Sequence, residues 1–151
     1  MACGEFDGVA AVSLMSLPVL QSSAMAAGPP TMPDKPVDVG LLTDFSKDGV
    51  NKKFAPKPNY FFLVRKGGKL YACSSICTHR YAALTVKEDE FFCPRHKSEF
   101  SFDGTVTNGP AQDSLARYGI SVDGDGHVIV DCSKEFNESK WDDAASFVVV
   151  K

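Results

Sequence analysis

Short runs of β-branched and aromatic residues, separated by Gly, Asn and Asp, recur along the chain from residue 37 onward. Such runs at spacings of about ten residues are typical of strands in an all-β sandwich or barrel. The predicted strands cover residues 37–42, 60–65, 70–73, 99–102, 105–107, 118–122, 127–131 and 147–150. No window of a dozen residues in this part has a clear helical period, and the one stretch that suggests a short helix is 133–141, which is mostly polar.

Glycine-containing turns join several of these strands. Gly67-Gly68 separates two apolar runs and predicts a tight β-hairpin, because two-residue hairpin turns need positive φ angles. Asp103-Gly104 and the DGDG segment at 123–126 predict further hairpins in the same way. The sequence therefore predicts an antiparallel all-β fold.

Residues 1–33 differ in composition from the rest of the chain. They contain no Lys or Arg, and their apolar stretch at 9–20 is interrupted by Pro18 and is too short to span a bilayer as a helix. Ala24-Met25-Ala26 fits the small-x-small pattern that a signal peptidase cleaves. We therefore predict a signal-like or flexible segment at 1–33, one domain at 34–151, and no stable transmembrane span.

Two interpretations of this N-terminal segment stay open. Its first residues, MACGEFDG, are acidic where an export signal is basic. Either the segment is an export signal whose basic start lies upstream or has been altered, which predicts a periplasmic protein, or it is a flexible tail on a cytoplasmic one.

The overall composition narrows the function classes. The 151 residues are 44% hydrophobic and 23% charged, which is typical of a soluble protein with one domain. Sixteen Lys and Arg against 19 Asp and Glu give a net charge of −3, which argues against nucleic acid as a partner. Five Cys are too few, and odd in number, for a disulfide scaffold.

Two short segments each bring a Cys and a His together, and the chain has only three His. They are Cys77-Thr78-His79 and Cys93-Pro94-Arg95-His96, with 13 residues between them. Thiolate and imidazole are ligands of zinc and of iron–sulfur centres, and four of them from two loops complete one site. Zinc fingers commonly have the Cys pair in one loop and the His pair in the other, so the mixed loops point away from a zinc finger. A zinc-stapled β-domain for protein binding is the alternative.

The remaining Cys and His are interpreted as bystanders of this site. They are Cys3, Cys73, Cys132 and His127. Cys73 and Cys132 lie on predicted strands, and the sequence leaves open whether they form a disulfide.

The pattern C-x-H followed by C-x-x-H resembles the Rieske family, whose [2Fe-2S] cluster has two Cys on one iron and two His on the other. The resemblance implies that Cys77 and Cys93 hold one iron. It implies in the same way that His79 and His96 hold the other. It also implies a Rieske-like antiparallel sandwich or barrel that carries a small cluster-binding subdomain.

The resemblance extends over residues 60–131 and includes a third loop. The segments 70–84 and 92–111 are similar to the family's two ligand loops and proline loop, so the cluster-binding subdomain is expected at about 74–111. In the cytochrome bc-type branch a Ser at the matching place hydrogen-bonds a cluster sulfur, and in the family the proline loop covers the cluster. The resemblance thus implies that Ser98 hydrogen-bonds a cluster sulfur and that Pro110 covers the cluster.

Several positions depart from the family pattern. The usual Gly after the second His is Lys97, and segment 80–82 lacks the Gly expected in the first loop. The loop disulfide of cytochrome bc-type members has no counterpart, because Ala82 and Arg95 stand at the two Cys places. Phe100 replaces a Tyr that in that branch hydrogen-bonds the cluster, so the resemblance implies an intermediate reduction potential.

The function implied is one-electron transfer, by a small carrier or by the electron-transfer subunit of a larger oxidoreductase, which is periplasmic if the N-terminal segment is an export signal. A ferredoxin component of an oxygenase system is the alternative. Catalysis by this chain alone is not expected, because no second metal motif or nucleotide fingerprint is present. The predicted ligands are flanked by three cations, Arg80, Arg95 and Lys97. This pattern predicts a redox partner that docks at a tip bearing the two histidines. The alternative is that these are ordinary solvated surface charges.

Overall fold

The computed structural model describes residues 28–151, in which β-strands are the dominant element. The predictions for residues 1–27, including Ala24-Met25-Ala26 and Cys3, lie outside the described residues. The strands are β1 (Val37–Leu41), β2 (Gly49–Asn51), β3 (Phe61–Lys66), β4 (Lys69–Ser74), β5 (Thr85–Lys87), β6 (Glu90–Phe92), β7 (Glu99–Ser101), β8 (Val106–Asn108), β9 (Arg117–Val122), β10 (His127–Phe136) and β11 (Val148–Val149). Two 3-10 turns lie at Leu42–Phe45 and Glu138–Lys140.

The strands form two antiparallel sheets. The larger has seven strands in the order β1-β10-β9-β4-β3-β2, with β11 added beside β4. The smaller has the order β5-β6-β7-β8 and is inserted between β4 and β9 of the larger. The predicted antiparallel all-β fold is confirmed, and every predicted strand overlaps an observed one.

The predicted glycine turns are observed. Lys66 pairs with Lys69 across the β3–β4 hairpin, and Gly67 and Gly68 have φ angles of 60° and 78°. Between β9 and β10, the Asp123 carboxylate accepts hydrogen bonds from the amides of Asp125 and His127, each at 2.9 Å. Each turn is therefore closed by its own residues, through the positive φ angles of the two glycines in the first hairpin and through the Asp123 carboxylate in the second.

The predicted helix at 133–141 is wrong. Strand β10 continues to Phe136, and only Glu138–Lys140 forms a 3-10 turn. The strand has an irregularity after Asp131 and then pairs Glu135 with Tyr118. The reason lies in the tertiary structure. This polar stretch extends the pairing of β10 with β9, and the hydrogen bonds to β9 outweigh its weak local preference for a helix.

Two hydrophobic cores lie on opposite faces of the larger sheet. Successive residues of β3 alternate between them, because side chains alternate along a strand. Phe61 and Leu63 face the first core, whereas Phe62 and Val64 face the second. The Phe62 ring stacks on Phe91 of the smaller sheet with centroids 4.4 Å apart. The second core therefore joins the two sheets.

The bystander residues are also placed. Cys73 lies in the second core and Cys132 in the first, and both are free thiols. The Nδ1 atom of His127 lies 2.8 Å from Asp38 and links β10 to β1. Ahead of β1, the Met32 side chain packs on the first core. Within residues 28–151 there is no helix that is long and apolar enough to cross a membrane.

Candidate metal centre

The two Cys–His segments form loops with the same backbone hydrogen bonds. Loop one (77–82) follows β4, and loop two (93–98) connects β6 to β7. In loop one, the Cys77 amide donates to Ala82 O at 2.8 Å, and the amide of Tyr81 donates to Cys77 O at 3.0 Å. Loop two repeats this pattern from Cys93 to Ser98 O and from Lys97 to Cys93 O, at 2.8 and 2.9 Å. The two loops are therefore local structural equivalents.

Each loop turns through one residue in the left-handed backbone region. The residues are Tyr81 with φ 55° and Lys97 with φ 67°. They occupy equivalent positions, four residues after the loop Cys, and both lie where the family resemblance leads one to expect Gly. Only Gly adopts this conformation freely, because the Cβ of other residues crowds the following carbonyl. The loops thus keep the glycine conformation without glycine.

The two cysteines lie at the inner side of the loops. Cys77 and Cys93 are both fully buried and belong to the second core. Burial raises the pKa of the Cys77 thiol, a hydrogen bond from the His79 amide lowers it, and the nearby Cys93 raises it again, so that the net shift is upward. The raised pKa keeps the metal-free thiol neutral, so proton loss from Cys77 would accompany the binding of a metal ion, whose positive charge favours the thiolate.

The two histidines meet at the outer side of the loops. The rings of His79 and His96 are half-buried, with centroids 4.7 Å apart and an interplanar angle of 85°. The pKa of His96 lies below its ordinary value, first because of desolvation and then because of repulsion by His79. Repulsion by the positive charges of Arg80 and Arg95 lowers this pKa further.

The ring nitrogens show that these residues fit a metal cluster. The Nδ1 atoms of His79 and His96 are buried and have no hydrogen-bond partner among residues 28–151. A buried imidazole nitrogen is costly without a partner, and metal ligation supplies one. No three His, Cys, Asp or Glu side chains in this part of the chain converge on one point, and a [2Fe-2S] cluster needs only two protein ligands for each iron. Two sulfurs inside and two nitrogens outside therefore fit the donor set of such a cluster.

A third loop, residues 109–113, is tied to both ligand loops. The Ala111 amide donates to the Ser98 hydroxyl oxygen at 3.0 Å, and the Thr78 hydroxyl donates to Asp113 O at 2.7 Å. Ser98 is completely buried, whereas Pro110 is exposed. Since its oxygen accepts from Ala111, the Ser98 hydroxyl keeps its proton to donate elsewhere, and Ser98 contributes to lowering the pKa of Cys77. That Ser98 bonds a cluster sulfur and that Pro110 covers the cluster stay predictions.

The three predicted docking cations do not have equivalent positions. Arg80, Arg95 and Lys97 are all exposed. The charges of Arg80 and Arg95 act on His96, whereas the Lys97 ammonium lies 5.3 Å from the centroid of the ring of Phe92, the residue before loop two.

One supporting group was missed by sequence reasoning. The Arg117 guanidinium lies between the rings of Tyr71 and Trp141, at 3.9 and 4.3 Å from their centroids. It donates to Asp103 O from Nε at 3.3 Å and from Nη2 at 2.9 Å. These contacts hold the β7–β8 turn against the larger sheet. No local signal could have revealed them, because the groups are far apart in the sequence.

Comparisons with known proteins agree with this arrangement. Residues 35–119 match the Rieske [2Fe-2S] domain. The cytochrome b6-f complex iron-sulfur subunit of Chlorobaculum thiosulfatiphilum is 31% identical over 106 residues, which are 67% of this chain and 58% of that protein. The corresponding subunit of Chlorobaculum tepidum is 31% identical over 108 residues, 70% of this chain and 52% of that protein.

A solved structure gives the same result. The plasma membrane Rieske protein PetC3 of Synechocystis PCC 6803 is 32% identical with a TM-score of 0.50, and the match covers 63% of this chain and 98% of that one. The fold and the paired Cys–His loops define an iron–sulfur protein of the Rieske class. This chain belongs to the Rieske [2Fe-2S] family, and its cofactor is therefore a [2Fe-2S] cluster. The chain spans a little over half the length of the two cytochrome b6-f subunits it matches.

The site lacks the loop disulfide of cytochrome bc-type members. Among residues 28–151 all four cysteines are free. Ala82 stands at one of the two places and is buried, and Arg95 stands at the other and is exposed. Here the loops are joined through the third loop and the second core.

Proposed function

We propose that this chain is a one-electron carrier, or the electron-transfer subunit of a larger oxidoreductase, that exchanges its electron at the histidine side of the site. The observation that carries the proposal is that the sulfur donors and the nitrogen donors lie on different sides of the site. Two buried sulfurs lie inside, and two half-buried imidazoles lie outside them, whose Nδ1 atoms have no hydrogen-bond partner in the described part of the chain. When bound, the cluster supplies reversible one-electron chemistry. Cys77 and Cys93 would hold one iron and exclude water, while His79 and His96 would hold the other.

The test is spectroscopic and uses a matched pair of variants. The purified protein should be coloured, contain two irons, and give a Rieske-type EPR signal after dithionite reduction. Cys93→Ser should lose the signal, because a thiolate ligand is removed. Cys132→Ser should keep it, because that thiol is also buried but belongs to the other core. A colourless protein that contains zinc would contradict the proposal and favour the zinc-stapled alternative.

The partner is proposed to be a redox protein with an acidic docking face. Loops one and two together carry three cations, Arg80, Arg95 and Lys97, and no carboxylate. Attraction between opposite charges accelerates association, and salt weakens this attraction by screening it. Electron transfer to a c-type cytochrome with an acidic face should slow as salt is raised, and Arg95→Gln should reduce that salt dependence. Equal salt dependence in the variant and the original protein would count against this docking surface.

A periplasmic location is also proposed, from the segment Ala24-Met25-Ala26. The protein made in a secreting host should then begin shortly after Ala26 by N-terminal sequencing. A cytosolic product that still begins at Met1 would contradict it and favour a cytoplasmic carrier.

A further inference from the structure

Half of the cations of the chain lie in one stretch that has no carboxylate. Residues 49–87 contain eight of the 16 Lys and Arg and none of the 19 Asp and Glu. The eight are Lys52, Lys53, Lys57, Arg65, Lys66, Lys69, Arg80 and Lys87. Because this stretch includes β2 to β5 and loop one, the uneven charge of the sequence becomes an uneven charge of the fold.

The connection between β2 and β3, residues 52–60, carries three of these cations, and we call it the lysine loop. Lys52, Lys53 and Lys57 are all exposed. None of the three takes part in an ion pair among residues 28–151. Exposed charges without a carboxylate partner attract an oppositely charged surface.

The lysine loop lies at the same end of the larger sheet as loop one. Strand β4 runs toward loop one, and β3 begins beside the end of β4 because the two strands are antiparallel. Ser75, two residues before Cys77, donates from its amide to Tyr60 O at 2.9 Å and from its hydroxyl to Ala55 O at 2.7 Å. Ala55 also packs on the second core, which contains both ligand cysteines. The lysine loop is therefore anchored where loop one begins.

Internal contacts fix the shape of the lysine loop. The Lys53 amide donates to the Asn51 side chain at 2.9 Å. The next residue, Phe54, is buried and stacks on Phe61 with ring centroids 5.5 Å apart. A loop that is already ordered presents its charges to a partner at a low entropic cost.

Carboxylates at this end of the larger sheet lie on the opposite side, toward β10. Glu135 on β10 lines a small cavity together with Tyr81 of loop one. Glu138 accepts a hydrogen bond from the Ser114 hydroxyl at 2.6 Å, next to Asp113. Strands β9 and β4 separate β10 from β3, so the two sides are about 14 Å apart at the usual strand spacing. The end of the sheet that bears loop one thus has a basic side and an acidic side.

We propose that the lysine loop is part of the docking surface for the acidic redox partner and orients this partner toward the β2–β3 side of the ligand loops. The inference rests on the proposed electron-transfer function and adds a second group of cations to Arg80 and Arg95. The acidic face of the partner is attracted by the lysine loop and repelled by the side that bears Glu135 and Glu138. In the docked complex the reduced protein gives one electron to the oxidised partner, and no bond forms or breaks.

Two triple variants with the same net charge test this placement. The first removes the charges of the lysine loop by Lys52→Gln, Lys53→Gln and Lys57→Gln. The matched control removes three exposed cations at the opposite end of the larger sheet, near the β3–β4 hairpin, by Lys47→Gln, Lys66→Gln and Lys69→Gln. Because all six lysines are exposed, both variants should keep the EPR signal and the reduction potential of the original protein.

The rate of electron transfer from each reduced protein to an oxidised c-type cytochrome with an acidic face is measured by stopped flow in about 0.1 M salt. Screening then acts over about 10 Å. The six residues of β3 separate the two ends of the sheet by about 20 Å. The lysine-loop variant should therefore react about tenfold more slowly than the original protein, at the lower end of the range for electrostatic steering. The control should stay within about twofold of the original.

Three outcomes would overturn the inference. One is an unchanged rate in the lysine-loop variant, and another is equal slowing of both triple variants, which would assign the effect to net charge alone. The third is an unchanged rate together with loss of binding to phosphatidylglycerol vesicles, which would assign the lysine loop to an anionic membrane surface. All three leave the proposed function intact as long as the original protein gives its Rieske-type EPR signal. Absence of that signal would instead refute the electron-transfer function itself.

Discussion

Replacement of Ser98 by Ala tests the link between loop two and the third loop. Ser98 is completely buried, and its hydroxyl oxygen accepts the Ala111 amide at 3.0 Å. Ala111 is itself buried, so the substitution leaves its N–H without a partner in a place that water does not reach. An unsatisfied buried donor costs about 1–3 kcal/mol, more than the net value of an ordinary hydrogen bond.

The effect is measurable by urea unfolding under anaerobic conditions. With a denaturant slope of about 2 kcal/mol per M, a loss of about 2 kcal/mol moves the urea midpoint down by about 1 M. Visible absorbance reports the cluster, and fluorescence of Trp141 reports the protein. Ser139→Ala is the control, because Ser139 lies in an exposed 3-10 turn and bonds only the Asn137 side chain. Its midpoint should stay within a few tenths of a molar of the original.

The same substitution also bears on the predicted hydrogen bond to the cluster. If the Ser98 hydroxyl donates to a cluster sulfur, its removal lowers the reduction potential, because hydrogen bonds to sulfur favour the reduced state. A Ser98→Ala protein whose midpoint equals that of the Ser139→Ala control would refute the reasoning about Ala111. An unchanged potential would refute the sulfur contact alone.

Three further predictions concern the framework around the site. Arg117→Lys should destabilise the fold by about 1–3 kcal/mol in urea unfolding, because lysine keeps the charge but loses the planar stack between Tyr71 and Trp141; a midpoint equal to the original would contradict it. Gly104→Ala should cost about 2–4 kcal/mol, because φ is 98° and a Cβ would meet Cys73 Sγ at 3.0 Å; a smaller loss than at Gly124, which has open space, would contradict it. Burial raises the pKa of the Cys73 and Cys132 thiols to about 12, from 9.0. The unfolded chain therefore releases these protons first, so stability should be full below pH 9 and fall from pH 9 to 12, and thermal unfolding between pH 7 and 10.5 measures the fall. A Cys73→Ala protein should show a shallower fall, and a slope equal to the original would contradict the assignment.

The chemistry of the site could be predicted because it depends on the short spacing between each Cys and its His in the sequence. Cys77 and His79, and Cys93 and His96, are each close in sequence, and the ligand chemistry of thiolate and imidazole is independent of the fold. The hairpin at Gly67-Gly68 could be predicted as well, because the conformation of a two-residue turn depends mainly on its own residues.

The strands that the sequence did not predict are short and depend on their neighbours. Strands β2, β5 and β6 have three residues each, and β5 has exposed Thr85 and Lys87 on either side of Val86. Three residues cannot show a period, and these strands, unlike β7 and β8, do not flank a predicted Asp-Gly turn. They become strands because longer partners or a hairpin offer free hydrogen-bonding groups, and that information lies outside the segment.

The same limit applies to the contacts that hold the site together. The hydrogen bond from Thr78 to Asp113 joins residues 35 positions apart, and the bond from Ala111 to Ser98 joins residues 13 apart. The left-handed turns at Tyr81 and Lys97 also contradict local preference, because both residues avoid this region in isolation. These features follow from the assembled loops.

The separation of the two hydrophobic cores has a consequence for how the protein matures. The first core, around Phe61 and Leu63, contains no ligand, whereas the second contains Cys77 and Cys93. A newly made chain that has not yet received iron can complete the first core unaided. Around the second, it must accommodate two buried thiols and, in the ligand loops, two imidazole nitrogens that have no hydrogen-bond partner among residues 28–151. We therefore expect the larger sheet of the iron-free chain to be stably folded and its ligand loops to have low local stability. Cluster binding would then complete the folding of the loops.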